Sequence, residues 1–185
     1  ICRGEVIGIR GPNGIGKTTV IKMLLKLEKV DGGEVLTPVE EVSYKPQYIT
    51  MNFDGTVEEM LRDASGEDFD STIYSSEIIV PLSMERLLDR KVRELSGGET
   101  QKVAVALCLS KNAQLYLMDE PSAFLDVEER LSVARAIRRK VESMGAAAMI
   151  VEHDVSVQDF IADRLITFGG EPGKLGFARA PVDLR

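Results

Sequence analysis

Gly11-Pro12-Asn13-Gly14-Ile15-Gly16-Lys17-Thr18 decides how the rest of this chain is read. The octet satisfies G-x-x-x-x-G-K-[ST] at every constrained position, and Thr19 follows it directly. Before it runs a short apolar stretch, Val6-Ile7-Gly8-Ile9, with the length and composition of a buried strand. After it a helical pattern begins at Lys17, with Val20, Met23, Leu24 and Leu27 on one face. Strand, glycine-rich turn and helix make the setting in which main-chain N–H groups turn inward around phosphates, helped by the positive end of the helix dipole. In that setting Lys17 would reach β- and γ-phosphates and the Thr18 hydroxyl would ligate Mg²⁺. A glycine turn serving only to start a helix does not call for Lys-Thr at this spacing. The stretch is a nucleotide site.

Working outward, strands and helices alternate. The pattern predicts strand 5–10, helix 17–27 and two short strands near 33–37 and 41–45, with Gly32-Gly33 turning the chain before the third element. From Thr56 to about Arg90 helical patterns separated by breakers (Ser65-Gly66, Pro81) take over, opened by the capping-box sequence Thr56-Val57-Glu58-Glu59. A second alternating stretch contains helix 97–110, strand 114–118, helix 127–143, strand 146–151, helix 155–162 and strand 164–168. Helix 127–143 carries Val127, Leu131, Ala134 and Val141 on one apolar face, as a helix covering a sheet should. The expected fold is α/β, a mainly parallel sheet flanked by helices. Residues 56–95 are too few to bury a core alone and read as a small helical lobe of one domain spanning residues 1–185.

Bulk properties agree. The chain has 185 residues, 44% of them hydrophobic and 29% charged, which suits one buried α/β core. No apolar stretch approaches 18 residues, so no membrane span is expected. Only Cys2 and Cys108 occur, too few for a disulfide framework, and a reducing cytoplasmic setting is expected. Cys108 falls in an apolar helical stretch and reads as core. A net charge of −7 argues against sequence-independent nucleic-acid binding by the whole surface. One local basic stripe, Arg135, Arg138, Arg139 and Lys140, shares its helix with Glu128, Glu129 and Glu142 and reads as a solvated face.

Three further stretches carry chemistry. Leu115-Tyr116-Leu117-Met118-Asp119-Glu120 is an apolar run that delivers two carboxylates where an open α/β sheet keeps its ligand. Asp119 would hold Mg²⁺ through water and Glu120 would polarise an attacking water. Leu95-Ser96-Gly97-Gly98-Glu99 contains its own capping box, Ser96-x-x-Glu99, yet a cap does not require Gly97-Gly98 in the first helical turn. Two glycines at a helix N-terminus suit close approach to an anion. Since the first loop already cradles one phosphate chain, this second cradle points to a nucleotide held by a different half-site.

These segments, in this order, resemble the stations of ABC ATPases, a branch of the P-loop NTPases. Leu95 to Glu99 is similar to the LSGGQ-type signature, and Gln47 in Tyr44-Lys45-Pro46-Gln47-Tyr48 resembles the Q-loop glutamine. Asp119-Glu120 resembles the Walker B end with its catalytic acid, and Ser122-Ala123-Phe124-Leu125-Asp126 the D-loop. His153 in Val151-Glu152-His153-Asp154 resembles the switch histidine. The resemblance runs from about Gly4 to Phe168. It implies catalytic roles for Glu120, His153 and Gln47, ATP on Gly11, Asn13, Gly14, Gly16, Lys17, Thr18 and Thr19, and a second nucleotide on Ser96, Gly97 and Gly98. Mg²⁺ is implied on Thr18, Gln47 and Asp119.

A narrower resemblance joins GPNGIGKTT, YKPQY, LSGGE, DEPSAFLD, VEHD and the late EPGK. Together they resemble the second ATPase half of the RNase L inhibitor family, the class E twin-ATPases that split ribosomes. This implies a second ABC half as partner, in a longer chain or as a homodimer, with the ribosome and translation factors beyond it, and no membrane. It also implies a tandem protein with a first half and an iron–sulfur domain upstream. Thr100 and Lys102 depart from the Leu and Arg usual in that family, and Arg10 is an unusual charge. With ten residues before Gly11, no room is expected for the upstream aromatic that stacks on adenine. Two rival readings stay open, the ATPase subunit of a membrane transporter and a nucleotide-binding switch that does not hydrolyse.

Overall fold

The computed structural model of the chain describes residues 1–35 and 40–184. Strands β1 (Val6–Arg10), β2 (Val42–Lys45), β3 (Leu115–Asp119), β4 (Ala147–Val151), β5 (Arg164–Glu171), β6 (Leu175–Ala178) and β7 (Val182–Asp183) form one sheet. Its order is β2-β3-β4-β1-β5-β6, with β7 also paired to β5. The strands from β2 to β5 run parallel, and one row of paired residues crosses them as Tyr44, Leu117, Met149, Ile7 and Arg164. β6 and β7 pair antiparallel with β5. The expected α/β class and mainly parallel sheet are therefore observed.

Alternation along each strand sorts the core into two faces. Val6, Tyr116, Met118, Ala148 and Ile150 face one way, while Ile7, Ile9, Leu115, Leu117, Met149 and Val151 face the other. Helix α1 (Lys17–Leu24) covers the second face through Ile21 and Leu24. Helices α4 (Gly97–Ser110), α5 (Val127–Met144) and α6 (Val155–Ile161) contribute Val105, Leu109, Ile137, Val141 and Val157 to the first. Two apolar helix faces come out shifted from the sequence reading. Leu27 is exposed, because α1 stops early in a Schellman turn: Lys26 is left-handed (φ 59°), its N–H donates to Met23 O, and Leu27 N–H donates to Lys22 O. Val127 is 72% exposed, because the first turn of α5 stands clear of the sheet and Val133 and Ile137 supply the contact instead.

The 56–95 stretch folds as α2 (Val57–Ser65), α3 (Thr72–Tyr74) and several single turns of 3₁₀ and π geometry. Thr56 and Glu59 form the expected capping box at α2. Left-handed residues at Gly66 (φ 59°) and Ser83 (φ 52°) break the helical path beyond α2. Leu61, Ile78, Leu82 and Met84 of this lobe are buried in the same apolar cluster as the first face of the sheet.

The expected strand near 33–37 does not form at Gly33, Glu34 and Val35, since Gly33 adopts a left-handed conformation (φ 82°) that breaks extended backbone. Leu36 and Thr37 lie outside the described residues. The last strand, expected at 164–168, continues to Glu171 and turns through Pro172-Gly173 into β6. Glycines spaced through 169–176 hid this hairpin, because they weaken the apolar alternation by which a strand is recognised.

Candidate functional site

The parallel order brings four chain segments, far apart in sequence, to one edge of the sheet. The phosphate loop follows β1, Gln47 follows β2, Asp119-Glu120 ends β3 and His153 follows β4, and these strands are neighbours. Carboxyl ends of adjacent parallel strands, with helix N-termini opening beside them, are where such sheets bind ligands.

In the phosphate loop Gly14 (φ 73°) and Gly16 (φ 103°) are left-handed, which their lack of a Cβ permits. Gly16 occupies the N-cap of α1 and no side chain caps that end, so the first turn offers bare N–H groups. Asn13 is exposed at the tip, and Thr18 and Thr19 sit in the first helical turn. A Cβ on Gly11 would lie 2.7 Å from Phe168 Cβ, so the strand exit tolerates no side chain there. The Lys17 ammonium is buried and donates to the loop's own carbonyls, Gly11 O at 2.8 Å and Pro12 O at 2.9 Å. Burial lowers its pKa, and the nearby Glu120 and Asp119 carboxylates oppose that shift. The late hairpin supports the loop from outside. Gly173 N–H donates to Gly14 O at 3.3 Å, and Gly176 approaches so closely that a Cβ would meet Ile15 O at 2.6 Å.

Thr18 Oγ1 donates to Asp119 Oδ2 at 2.5 Å, joining two of the three groups expected at Mg²⁺, while the third, Gln47, bonds Glu120 instead. Burial raises the Asp119 pKa, while the Thr18 hydrogen bond holds it down. No cluster of three or more His, Cys, Asp or Glu that could hold a metal occurs among the described residues. A hydroxyl beside one carboxylate nevertheless fits Mg²⁺, which keeps several waters and is bound by one or two side-chain oxygens together with substrate phosphates.

Glu120 is the hub of the site. Its Oε1 accepts from Gln47 Nε2 at 3.0 Å and lies 3.1 Å from His153 Nε2, so the three proposed catalytic residues meet at one oxygen. Its backbone is left-handed (φ 49°), costing about 1–2 kcal/mol for a residue with a Cβ. That backbone is held on every side. Glu120 N–H donates to Val151 O at 2.8 Å, and its carbonyl accepts from Lys45 Nζ at 3.1 Å and Gln101 Nε2 at 2.7 Å. Lys45 also donates to Asp119 O at 2.8 Å, and burial pulls its pKa down to about 8. Sequence reading passed over Lys45 and Gln101; a lysine closing an apolar strand was the one signal available.

Behind His153 lies a second buried polar link that sequence reading missed. Glu152, 4% exposed, accepts from Ser122 Oγ at 2.5 Å and from the backbone N–H groups of His153 at 2.8 Å and Asp154 at 3.2 Å. Asp154 caps α6 and accepts from Arg130 Nη1 at 2.7 Å. The loop carrying His153 is thus tied to the loop that precedes α5.

The Ser96–Glu99 segment stands apart. Ser96 and Glu99 form the reciprocal capping box at α4, and Arg90 donates to Glu99 Oε1 at 2.9 Å. A Cβ on Gly98 would lie 3.2 Å from Phe124 O, whereas Gly97 faces open space. Among the described residues no hydrogen bond or ion pair joins residues 96–99 to the phosphate loop. The basic stripe is not one surface. Arg138 grips Asp163 with two hydrogen bonds of 2.7 and 2.9 Å and also donates to Glu142, while Lys140 is buried near Glu77. Only Arg135 and Arg139 stay exposed, because Asp163, just before β5, and Glu77 of the lobe draw the other two off the surface.

Comparison with known proteins agrees with this geometry. The family model described as ABC transporter matches residues 1–123. An ABC transporter ATP-binding protein of Methanocaldococcus jannaschii is 56% identical over the whole chain, which spans 31% of that protein's length. ABC transporter E family member 3 of Arabidopsis thaliana is 39% identical over 81% of the chain and 86% of its own length. The crystal structure of archaeal ribosomal stalk protein aP1 with the archaeal ribosome recycling factor aABCE1 matches with a TM-score of 0.94 at 50% identity. That match covers 99% of the chain and 35% of the structure's own. The chain belongs to the ABC family of ATP-binding proteins, in the class E, or RNase L inhibitor, branch that its motifs resemble.

Proposed function

We propose that this chain is one ATP-hydrolysing half of a class E twin-ATPase that acts in ribosome recycling. The observation that carries this reading is the convergence of Gln47 and His153 on a single oxygen of Glu120, beside a complete phosphate loop. Lys17 would exchange the loop carbonyls it now holds for the β- and γ-phosphates, and the bare N–H groups of α1 would take the remaining phosphate oxygens. Thr18 and Asp119 would hold Mg²⁺, and Gln47, bonded here to Glu120, would join them when the ion binds. When bound, Mg²⁺ neutralises negative charge on the phosphates. Glu120 would orient the attacking water and accept its proton, while Gln47 and His153 would hold its carboxylate through Oε1.

Ser96, Gly97 and Gly98 would serve the nucleotide of a second ABC half. Their detachment from the chain's own phosphate loop supports that assignment. The sharing of one apolar cluster by sheet and lobe supports a single nucleotide-binding domain, carried within a longer tandem protein. Likeness to a ribosome recycling factor captured with a stalk protein supports the ribosome as the larger partner. Likeness to class E relatives supports a cytoplasmic translation factor over a transporter subunit; no helix among the described residues is long and apolar enough to cross a membrane. The test is Glu120→Gln. ATP should bind with parental affinity, and single-turnover hydrolysis should fall by about 10²–10⁴-fold, the contribution typical of general base catalysis. Parental turnover by this variant would reject the assignment of Glu120.

A further inference from the structure

Two side chains with no role assigned above converge on the main chain of Glu120, and neither has an evident reason to be polar where it sits. Lys45 closes β2 with its side chain 1% exposed, and Gln101 lies one turn into α4, also 1% exposed. A lysine buried in a core strand costs desolvation that a methionine of similar volume would avoid. Its ammonium donates to two main-chain carbonyls, Asp119 O and Glu120 O. Gln101 spends its amide donor on the same Glu120 carbonyl. With Glu120 N–H held by Val151 O, both polar groups of that peptide stretch are clamped while the residue is left-handed. Released from the clamp, Glu120 would relax toward the extended or right-handed regions, and its Cβ would swing the carboxylate away from Gln47 and His153.

We infer that Lys45 and Gln101 are positioning residues for hydrolysis, holding the Glu120 backbone in its left-handed turn so that the carboxylate stays aimed at the phosphate side. Gln101 adds a consequence. It stands on the helix that Ser96 caps, so the element facing the partner's nucleotide also grips this half's own catalytic acid. A tilt of α4 when the two halves close would bear directly on Glu120. This inference rests on the catalytic reading of Glu120 given above.

The experiment compares Lys45→Met, Lys45→Arg and Gln101→Leu in the full-length natural polypeptide, alone and combined with Glu120→Gln. ATP affinity by calorimetry, kcat, KM and the urea midpoint are measured for each. Lys45→Met and Gln101→Leu should lower kcat by about 10–100-fold, the usual effect of losing a supporting contact. ATP Kd and KM should stay within about threefold, since Lys17 and its loop are untouched. Lys45→Met should keep or raise the urea midpoint, because a buried charge is removed. Lys45→Arg, which retains donors, should recover part of the rate. In the Glu120→Gln background the two changes should add no further loss. Parental kcat in both single variants, or equal losses with and without the Glu120 carboxylate, overturns the positioning role. So does a fall in kcat matched by falls in ATP affinity and stability. If Glu120→Gln by itself turns over at the parental rate, the catalytic reading fails instead.

Discussion

The Ser122–Glu152 contact makes a quantitative claim about how the His153 loop is held. Glu152→Ala removes the acceptor for one buried hydroxyl and two backbone N–H groups. The Ser122 hydroxyl is buried and would be stranded, at about 1–3 kcal/mol. The N–H groups of His153 and Asp154 lie in a partly exposed loop and can recruit water, so each loses only about 1 kcal/mol. The sum is about 3–5 kcal/mol, a large share of the roughly 5–15 kcal/mol that holds a domain of this kind folded. With a urea slope of about 2 kcal/mol per molar, the midpoint should fall by about 2 M. Ser122→Ala should cost about 1–2 kcal/mol, and the double variant should cost less than the sum by about 1–2 kcal/mol, since both deletions remove one bond. Urea unfolding of the four proteins closes this cycle. A coupling below about 0.5 kcal/mol would show that the 2.5 Å contact contributes nothing specific, and the proposed tie between these loops would have to be abandoned.

Lys17→Ala should weaken ATP binding by about 10–100-fold through loss of charge-assisted hydrogen bonds, leaving the unfolding curve close to parental; calorimetry with ATP checks this. Ser96→Arg should abolish hydrolysis while sparing nucleotide binding, because bulk and charge at the cap of α4 block closure on a second half. For the parent chain alone, specific ATPase activity should rise with protein concentration, and constant activity in samples shown by light scattering to be monomeric would contradict the two-sided site. At acid pH, Glu5 and Asp154 should contribute to unfolding. Their pKa values are held below 4.5 and 3.8, chiefly by hydrogen bonds from Arg164 and Arg130. Their contribution is therefore complete above those ordinary values and lost as pH falls through the lowered ones, so Glu5→Gln and Asp154→Asn should flatten the acid limb of a stability–pH curve.

Much of the site was legible because its parts are local. The phosphate loop needs only a strand, two left-handed glycines and a helix start within a dozen residues. The capping boxes at Thr56 and Ser96 find their partners three residues away. Helical spans were placed to within a residue or two where their ends carry such signals, and missed at α1, whose end depends on a left-handed lysine that no residue preference announces.

Read along the chain, the stations and their order could be named, since each is a short pattern whose chemistry is complete in a few residues. That they meet is a property of the folded sheet. Thr18 and Asp119 are 101 residues apart and Gln47 and Glu120 are 73 apart, and only the strand order makes them neighbours. The same holds for the grip of Lys45 and Gln101 on the Glu120 carbonyl, for the Ser122–Glu152 link, and for Arg138, drawn out of its basic stripe by Asp163. Pairing between distant strands is set by which apolar faces can be buried together, and that belongs to the whole sheet rather than to any window along the chain.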